Sequence, residues 1–361
     1  MRTLETSPDL LERYVDPSDP DKKFFLPERL DLMVTGACTM RCAGCWGPKH
    51  NSLDPHLTPE QWMQIIDFVD FNNRAERYNT STLCSGNAEV CITGGEPLLY
   101  PGIVQLSELL AKQRVHTTLS TTGIDPENLL PSILPNIQEL GVPLDGPSPE
   151  VNKIWRVGKQ PDGGFSAAVS AIKLAQEDFP DVAVTLRTLI HPKNIRGITD
   201  IPQSLVSEGV DYTKLRWKFY LFNSNTGPRA GINNLKVSSE DIANLDASFE
   251  GNYPEVMSSN ILAPQLPQDR MIISHNGDVH IVLLSSGGQT VDIHLGNIAL
   301  DPTDVLLRIN ADYPEFLAGS CKGAGEVLFL DCVEYVAKAG SKAPLLDAMA
   351  ELEKRIDSVR A

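Results

Sequence analysis

The chain has 361 residues and a formal net charge of −16, with 42% hydrophobic and 22% charged residues. This is the composition of an ordinary globular protein, and the length suits one barrel-sized domain with an extension. The negative charge argues against nucleic acid and against an anionic membrane as partners. No apolar run approaches the ~20 residues that a membrane helix needs.

The first 28 residues include the pairs Asp16-Pro17, Asp19-Pro20 and Leu26-Pro27 in an acidic context, which predicts an irregular arm and not a signal peptide. The chain has seven cysteines, an odd number. Because an odd number of cysteines cannot all form disulfide bonds within the chain, the count favours a reducing compartment, and we expect a cytoplasmic protein.

A short strand and three cysteines follow this arm. The apolar run from Leu30 to Val34 predicts a buried strand, and Cys38, Cys42 and Cys45 come directly after it. Three thiolates on one loop can hold a single cluster of soft iron, in which one iron of four keeps no protein ligand. A zinc site would need a fourth ligand, for which His50 stands at an unusual spacing, and a disulfide would leave one cysteine over. The spacing therefore favours an iron–sulfur cluster with an open iron.

Helix and strand patterns then alternate as far as residue 222. Thr58, followed by Pro59 and Gln61, predicts a capped helix start. Further strands are predicted at 89–93, 115–121, 182–190 and 215–222, and another strand, between the second and third of these, is predicted to end at residue 145. Helices are predicted at 101–112, 126–134 and 165–178. Six strand–helix units in succession imply parallel strands, so we predict a partial (β/α)6 TIM-like barrel over residues 29–225.

The pattern changes after residue 226. Residues 270–284 predict a β-hairpin around Asn276 and Gly277, and helices are predicted near 303–309 and 345–359. We therefore expect a small α+β extension over residues 226–361. The polar stretch 74–87 is predicted to be an insertion.

Further motifs resemble, together with the cysteines, those of the radical S-adenosylmethionine (SAM) family. They are Thr-Gly-Gly-Glu-Pro at 93–97, Leu-Ser-Thr-Thr-Gly at 119–123, Val-Pro-Leu-Asp-Gly-Pro at 142–147 and Glu-Val-Asn-Lys-Ile-Trp-Arg at 150–156. In this family the cysteine loop holds a [4Fe–4S] cluster whose open iron chelates SAM. Reductive cleavage of SAM gives methionine and a 5′-deoxyadenosyl radical, which takes a hydrogen atom from the substrate. The resemblance spans residues 29–225 and implies an enzyme with one [4Fe–4S] cluster and SAM as cofactors.

The resemblance also implies contacts to SAM. They come from the turn after the second strand, the end of the third strand and the loop after the fourth: Gly94, Gly95, Glu96, Ser120 and Arg156. Glu96 would pair with the amino group of SAM, Ser120 would touch its ribose, and the guanidinium fork of Arg156 suits its carboxylate. The residue before the third cysteine is commonly aromatic in the family but is Gly44 here, so Trp46 is the candidate that stacks on the adenine.

Three residues are candidates for catalysis. Arg187 lies inside a predicted strand, where a charge is costly unless it is paired or contacts a ligand. Lys218 falls on a lysine that binds the triphosphate in viperin, to which the chain shows a fainter resemblance. Two other such lysines are Glu89 and Thr185 here, so a triphosphate substrate is not expected. Cys321 is the candidate that donates a hydrogen atom to a substrate radical.

The remaining cysteines, Cys84, Cys91, Cys321 and Cys332, form no C-x2-C pair, so a second cluster is not expected. We predict an enzyme of natural-product (antibiotic) biosynthesis or nucleoside metabolism, acting on a small sugar-like, aminocyclitol or nucleoside substrate. The outcome is oxidation, epimerisation, dehydration or decarboxylation, and the electron donor is a protein such as flavodoxin or ferredoxin. The alternatives are a peptide-modifying or activating radical SAM enzyme and a non-catalytic iron–sulfur sensor or carrier.

Overall fold

The structure is a computed structural model that describes residues 27, 29–42, 45, 55–73, 89–221, 237–252, 261–262, 270–284 and 290–313. The strands are β1 Arg29–Thr35, β2 Glu89–Gly94, β3 His116–Ser120, β4 Glu139–Pro143, β5 Ala183–Ile190, β6 Leu215–Leu221, β7 Ile261–Leu262, β8 Arg270–Ser274, β9 Asp278–Leu284 and β10 Thr290–Asn297. The helices are α1 Pro59–Asn73, α2 Ile103–Lys112, α3 Leu130–Ile133, α4 Pro149–Asn152, α5 Phe165–Asp178, α6 Ile201–Ser207, α7 Ser239–Asn252 and α8 Pro302–Asp312.

All of these strands belong to a 10-stranded sheet in the order β10-β9-β8-β1-β2-β3-β4-β5-β6-β7. Neighbouring strands from β8 and β1 through to β7 are parallel, and β9 and β10 are antiparallel to their neighbours. The sheet ends at two edge strands and does not close. The six predicted strands and the partial TIM-like barrel are confirmed.

The start of α1 agrees with the sequence prediction, and the start of α3 differs from it. At α1 the backbone N–H of Thr58 donates to the Gln61 side chain at 2.8 Å, and Gln61 returns a bond to the Thr58 hydroxyl at 3.3 Å, which is the predicted capping box. The helix predicted at 126–134 begins only at Leu130, because the Asp125 carboxylate accepts the N–H groups of Leu129 and Leu130. The predictions for residues 74–87 and 345–359 lie outside the described residues.

One face of the sheet is apolar and packs against the helices. Leu32, Ile92, Leu119, Leu140 and Leu186 each come from a different parallel strand and are completely buried. They join the helical side chains in one hydrophobic core. Burial of one such side chain is worth about 1.5–3 kcal/mol, so this core is the main source of stability.

The other face of the sheet, which we call the inner face, carries polar and charged side chains. Asp31, Cys91 and Glu139 lie on it in a register that runs from β1 through β3 to β4. The Arg187 guanidinium on β5 donates to the Ser120 hydroxyl on β3, two strands away, at 2.6 Å. A flat sheet would hold these two strands about 10 Å apart, at about 4.8 Å per strand. The long Arg187 side chain therefore crosses the inner face over Gly141 on β4, where a Cβ would stand 2.5 Å from the guanidinium carbon.

The hairpin of the extension is continuous with the barrel. β8 pairs in parallel with β1, and Arg270 on β8 donates to the Asp31 carboxylate at 2.9 Å. Met33, Ile272 and Val282 form a separate small apolar cluster on the inner face. The sequence predicted a hairpin here but not that its first strand would extend the barrel sheet. The prediction of a domain boundary near residue 226 is not tested by this arrangement.

The strand β10 and the short strand β7 were not predicted, and they form the two edges of the sheet. Among the helices that the structure describes, none is both long enough and apolar enough to cross a membrane.

Replacement of Asn297 by alanine is expected to loosen the hairpin. The Asn297 amide donates to the carbonyl of Asn276 and to Asp278, each at 2.9 Å, and its oxygen accepts two backbone N–H groups after β10. Loss of four such bonds is expected to lower the free energy of unfolding by about 2–4 kcal/mol. Urea denaturation measures this. The control Asn244→Ala, on an exposed position of α7, is expected to change it by less than about 0.5 kcal/mol. Equal stability of the two variants would contradict the prediction.

Candidate functional site

The predicted site residues meet at the carboxyl ends of the parallel strands. The loop after β1 carries Cys38, Cys42 and Cys45, all of them free thiols, with the first two half-buried and the third exposed. Arg41 folds back over this loop and donates to the carbonyl of Cys38 at 2.6 Å. We call residues 36–45 the cluster loop. Trp46 lies just beyond it, outside the described residues.

Two of the three thiols are partly buried, and burial shifts their pKa values. Burial raises the pKa of the Cys38 thiol to about 11, and the Cys42 and Cys45 thiols add to the rise. Burial also raises the pKa of Cys42, and the nearby Arg156 guanidinium opposes this. Thiols of this kind do not ionise alone, but they bind a metal centre as thiolates. Three thiolates on one loop are the donor set that suits an iron–sulfur cluster.

The Gly94–Gly95 turn packs directly on the cluster loop. The N–H of Gly95 donates to the carbonyl of Thr35, and the N–H of Glu96 to that of Ala37, each at 2.7 Å. A Cβ on Gly94 would stand 2.4 Å from the Thr35 oxygen, and one on Gly95 would stand 2.3 Å from the Ala37 oxygen. Both contacts are with backbone, which cannot move aside without moving the loop. The glycines are therefore required, in the first place, by the contact between two pieces of protein backbone.

Glu96 is buried and fully engaged by protein donors. One carboxylate oxygen accepts the Leu98 N–H at 3.2 Å and the Thr121 hydroxyl at 2.5 Å. The other accepts the N–H and the hydroxyl of Thr122. Burial raises the pKa of this carboxyl, while the four donors oppose the rise. Glu96 thus ties the turn after β2 to the end of β3.

A pair of histidines lies beneath the start of the cluster loop. His56 contacts the Thr35 hydroxyl at 2.9 Å, and that hydroxyl also accepts the N–H of Ala37 at 3.1 Å. The rings of His56 and His275 are 5.3 Å apart, and both are buried. Neither histidine was predicted from the sequence to lie at the site, because nothing local in the chain links residue 56 to residue 275.

Arg156 pairs with the buried Asp145 at the carboxyl end of β4. Its Nε lies 2.7 Å from the Asp145 carboxylate, and the other carboxylate oxygen accepts the N–H of Leu189 at 2.8 Å. Two asparagines complete this network: Asn152 accepts the N–H of Asp145, and Asn194 donates to its carbonyl, each at 2.8 Å. Arg156 is therefore held near Cys42 by a carboxylate with no exposed surface.

His191 stands at the end of β5 against the same network. Its ring stacks on Trp155 at 5.2 Å, and its Nδ1 accepts the N–H of Lys193 at 3.1 Å. Its Nε2 is buried and has no hydrogen-bond partner among the described residues. Burial lowers the pKa of the imidazole, and the charge of Asp145 opposes this.

Ser120 and Arg187 meet on the inner face. The Arg187 guanidinium donates to the Ser120 hydroxyl at 2.6 Å and lies 3.8 Å from the Glu139 carboxylate. Lys218 is the neighbour of Arg187 in the register between β5 and β6. Glu139 also pairs with the exposed Arg216 at 3.5 Å. Lys218 has no carboxylate partner within the described part of the chain.

Two of the predicted site residues, Cys321 and Trp46, lie outside the described residues. Cys91 is buried on the inner face, where burial raises its pKa to about 11.

Comparison with known proteins gives a consistent picture. A family model described as the Radical SAM superfamily matches residues 32–201. The GTP 3′,8-cyclase of Petrotoga mobilis is 30% identical over 156 residues, which are 41% of this chain and 42% of the cyclase. The S-adenosyl-L-methionine-dependent tRNA 4-demethylwyosine synthase of Pyrococcus horikoshii is 26% identical over 240 residues, which are 61% of this chain and 68% of the synthase. The chain thus spans less than half the length of the first relative.

A solved structure shows the same fold. Streptococcus suis SuiB, in a crystal structure with bound S-adenosylmethionine, has a TM-score of 0.52 and 16% identity, covering 88% of this chain and 75% of that chain. At this level of identity the likeness concerns the fold alone.

Replacement of Gly95 by alanine is expected to displace the cluster loop. The new Cβ must push the Ala37 carbonyl away, which costs about 1–3 kcal/mol and moves the cysteines. The expected result is a lower thermal midpoint and less iron per chain after anaerobic reconstitution. The control Gly197→Ala meets only Pro147, at 3.6 Å. An iron content that is equal in both variants would contradict the prediction.

The depressed pKa of His191 predicts a pH dependence of stability. Because the folded protein disfavours the imidazolium, stability is complete above the unfolded pKa of about 6.5 and falls as the pH drops below it. His191→Phe keeps the stack on Trp155 but cannot titrate. Its thermal midpoint should be lower near neutral pH, where it lacks the bond from Lys193, and should fall less than that of the parent on acidification. Parallel curves of midpoint against pH would exclude this role for His191.

Proposed function

We propose that this chain, whose residues 32–201 belong to the radical SAM superfamily, is an enzyme that takes a hydrogen atom from a small polar substrate. The family resemblance seen in the sequence is confirmed, and enzymes of this superfamily use a [4Fe–4S] cluster and SAM. One observation carries the proposal. Three free thiols, the glycine turn and Ser120, the last residue of β3, all follow or end parallel strands at the carboxyl edge of the barrel.

Cys38, Cys42 and Cys45 would hold the cluster. When bound and reduced, the cluster supplies the electron that cleaves SAM to methionine and a 5′-deoxyadenosyl radical. The chain's own residues keep the three thiols in place, because the cluster loop is bonded to the turn after β2 and to Thr35. A carboxyl-edge position is also where barrels of parallel strands place their reacting groups.

Contacts to SAM are proposed for Ser120, Arg187 and Arg156. The first two are joined on the inner face, and Arg156 is held near Cys42 by Asp145. A fixed guanidinium suits a carboxylate such as that of SAM. Glu96 is proposed to act by holding the Gly94–Gly95 turn, because all four of its contacts are with protein donors.

The proposed substrate is a small polar molecule, either nucleoside-like or a sugar or aminocyclitol, of natural-product metabolism. The polar inner face supports this, since buried polar groups need hydrogen-bonding partners and a ligand rich in hydroxyl or amino groups supplies them. The relatives named above act on a guanine nucleotide and on a tRNA base, which favours the nucleoside-like member. Lys218 is proposed to contact the substrate, because it faces the barrel beside Arg187.

The test begins with anaerobically reconstituted protein, reduced by dithionite and given SAM. Formation of 5′-deoxyadenosine supports the enzyme, and its absence from protein that carries a complete cluster indicates a sensor or carrier. Deuterium transferred from labelled nucleosides, aminosugars or peptides into 5′-deoxyadenosine then identifies the substrate class. Transfer from peptides alone would replace the small-molecule proposal by peptide modification.

Replacement of Arg187 by glutamine is expected to weaken SAM binding. The variant loses the positive charge and the guanidinium hydrogen bond to the Ser120 hydroxyl, so the KM for SAM should rise by about tenfold or more. Steady-state formation of 5′-deoxyadenosine measures this. The control Arg216→Gln removes an exposed arginine from the amino-terminal edge of the same face and should leave the KM unchanged. Equal KM values in the two variants would argue against a SAM contact at Arg187.

A further inference from the structure

An exposed surface lies outside the barrel, against the cluster loop. It consists of Arg41, Lys153, Ile154, Val157 and Lys159, and we call it the loop-side patch. Ile154 is 42% exposed and Val157 is 50% exposed. These are two of the four exposed large apolar residues in the described part of the chain. Exposed apolar side chains rimmed by charges are typical of an interaction surface.

The patch is fixed in place relative to the cysteines. Met40 and Gly158 form an antiparallel bridge, and the N–H of Arg41 donates to the carbonyl of Val157. The two segments are so close that a Cβ on Gly158 would stand 2.7 Å from the Cα of Met40. The patch is thus built on the backbone that immediately precedes Cys42.

The charge of the patch is opposite to that of the whole chain. Residues 151–161 contain three cations and no carboxylate, in a protein with a net charge of −16. Glu150 and Asp162 border this segment, and the Asp162 carboxylate is engaged by two backbone N–H groups at the start of α5. Arg156 is paired inward with Asp145. The cations that remain at the surface are Arg41, Lys153 and Lys159, and the exposed Glu150 carboxylate lies near Lys153.

We propose that the loop-side patch is the docking surface for a small acidic protein that carries single electrons. The inference rests on the proposed function, because the cluster needs one electron from outside for each cleavage. In this step the redox group of the carrier is oxidised by one electron and the cluster is reduced by one, with no proton or bond transferred. A cationic and apolar patch beside the cluster loop matches an acidic carrier in sign, while the rest of the chain repels it.

A nucleic acid is another anionic partner that a cationic patch can bind. Three surface cations on a chain of this net charge release few counterions, so they do not provide the affinity of a nucleic-acid site. The two apolar side chains at the centre of the patch also suit a protein surface better than a phosphate backbone.

The experiment uses reconstituted holoenzyme and the double variant Lys153→Glu/Lys159→Glu. Its binding to an acidic flavodoxin is measured by calorimetry at low and high salt, beside the rate of 5′-deoxyadenosine formation. Charge reversal is expected to weaken flavodoxin binding by about tenfold or more at low salt, and to lower the flavodoxin-driven rate in proportion. The rate driven by dithionite is expected to stay the same, because this small reductant needs no docking surface.

The matched control is Lys112→Glu/Lys214→Glu, which makes the same charge change at exposed sites near the amino-terminal edge of the sheet. Flavodoxin binding that falls equally in both double variants would overturn the patch as the docking surface, and so would binding unaffected by either. Binding of a transfer RNA that is lost on charge reversal, with flavodoxin binding intact, would also overturn it. Binding is read independently of activity, so an absence of 5′-deoxyadenosine with dithionite in the parent would count against the proposed function alone.

Discussion

Two backbone hydrogen bonds hold the turn after β2 against the loop after β1, and the rest of the site is arranged around this contact. The turn reaches the carbonyls of Thr35 and Ala37 because neither Gly94 nor Gly95 has a side chain. Glu96 then fixes the turn to the end of β3 through four donors. The cysteines, which have little regular structure around them, thereby gain a rigid support. Hydrogen bonds to a buried carboxylate are among the stronger ones in proteins, so this support does not depend on a bound ligand.

The charged side chains on the inner face of the barrel are mostly paired with opposite charges. Arg270 meets Asp31, and Arg187 and Arg216 share Glu139. A charge in such an enclosed space is costly unless an opposite charge or a ligand compensates it. Arg187 divides its donors between Glu139 and Ser120, and Lys218 lies beside it with no acid partner among the described residues. These two cations are the part of the face that a polar ligand complements best.

The cluster loop separates two environments of different character. On its barrel side lie buried and paired groups such as Asp145 and Arg156, while on its outer side Ile154 and Val157 are exposed beside lysines. A radical reaction needs a site that excludes water, whereas docking of a partner protein needs a surface exposed to water. The segment 153–159 meets both, because it presents Trp155 and Arg156 inward and its other side chains outward.

The sequence by itself determined the order of the six barrel strands, the cysteine spacing, the capping box at Thr58 and the glycine turn. These signals are local, since periodicity, turn chemistry and motif spacing are complete within a few residues of one another. The resemblance of short motifs to the radical SAM family also predicted the [4Fe–4S] cluster and SAM as cofactors.

Only the tertiary structure decided how distant segments meet. It joined β8 to β1, set His56 against His275, and brought Arg187 to Ser120 across two strands. It also showed that the Glu96 carboxylate accepts hydrogen bonds from four protein donors, and that the lysines after α4 flank the cluster loop. Such contacts join residues far apart in the chain, and they depend on the register and curvature of a sheet, which no short stretch of sequence encodes.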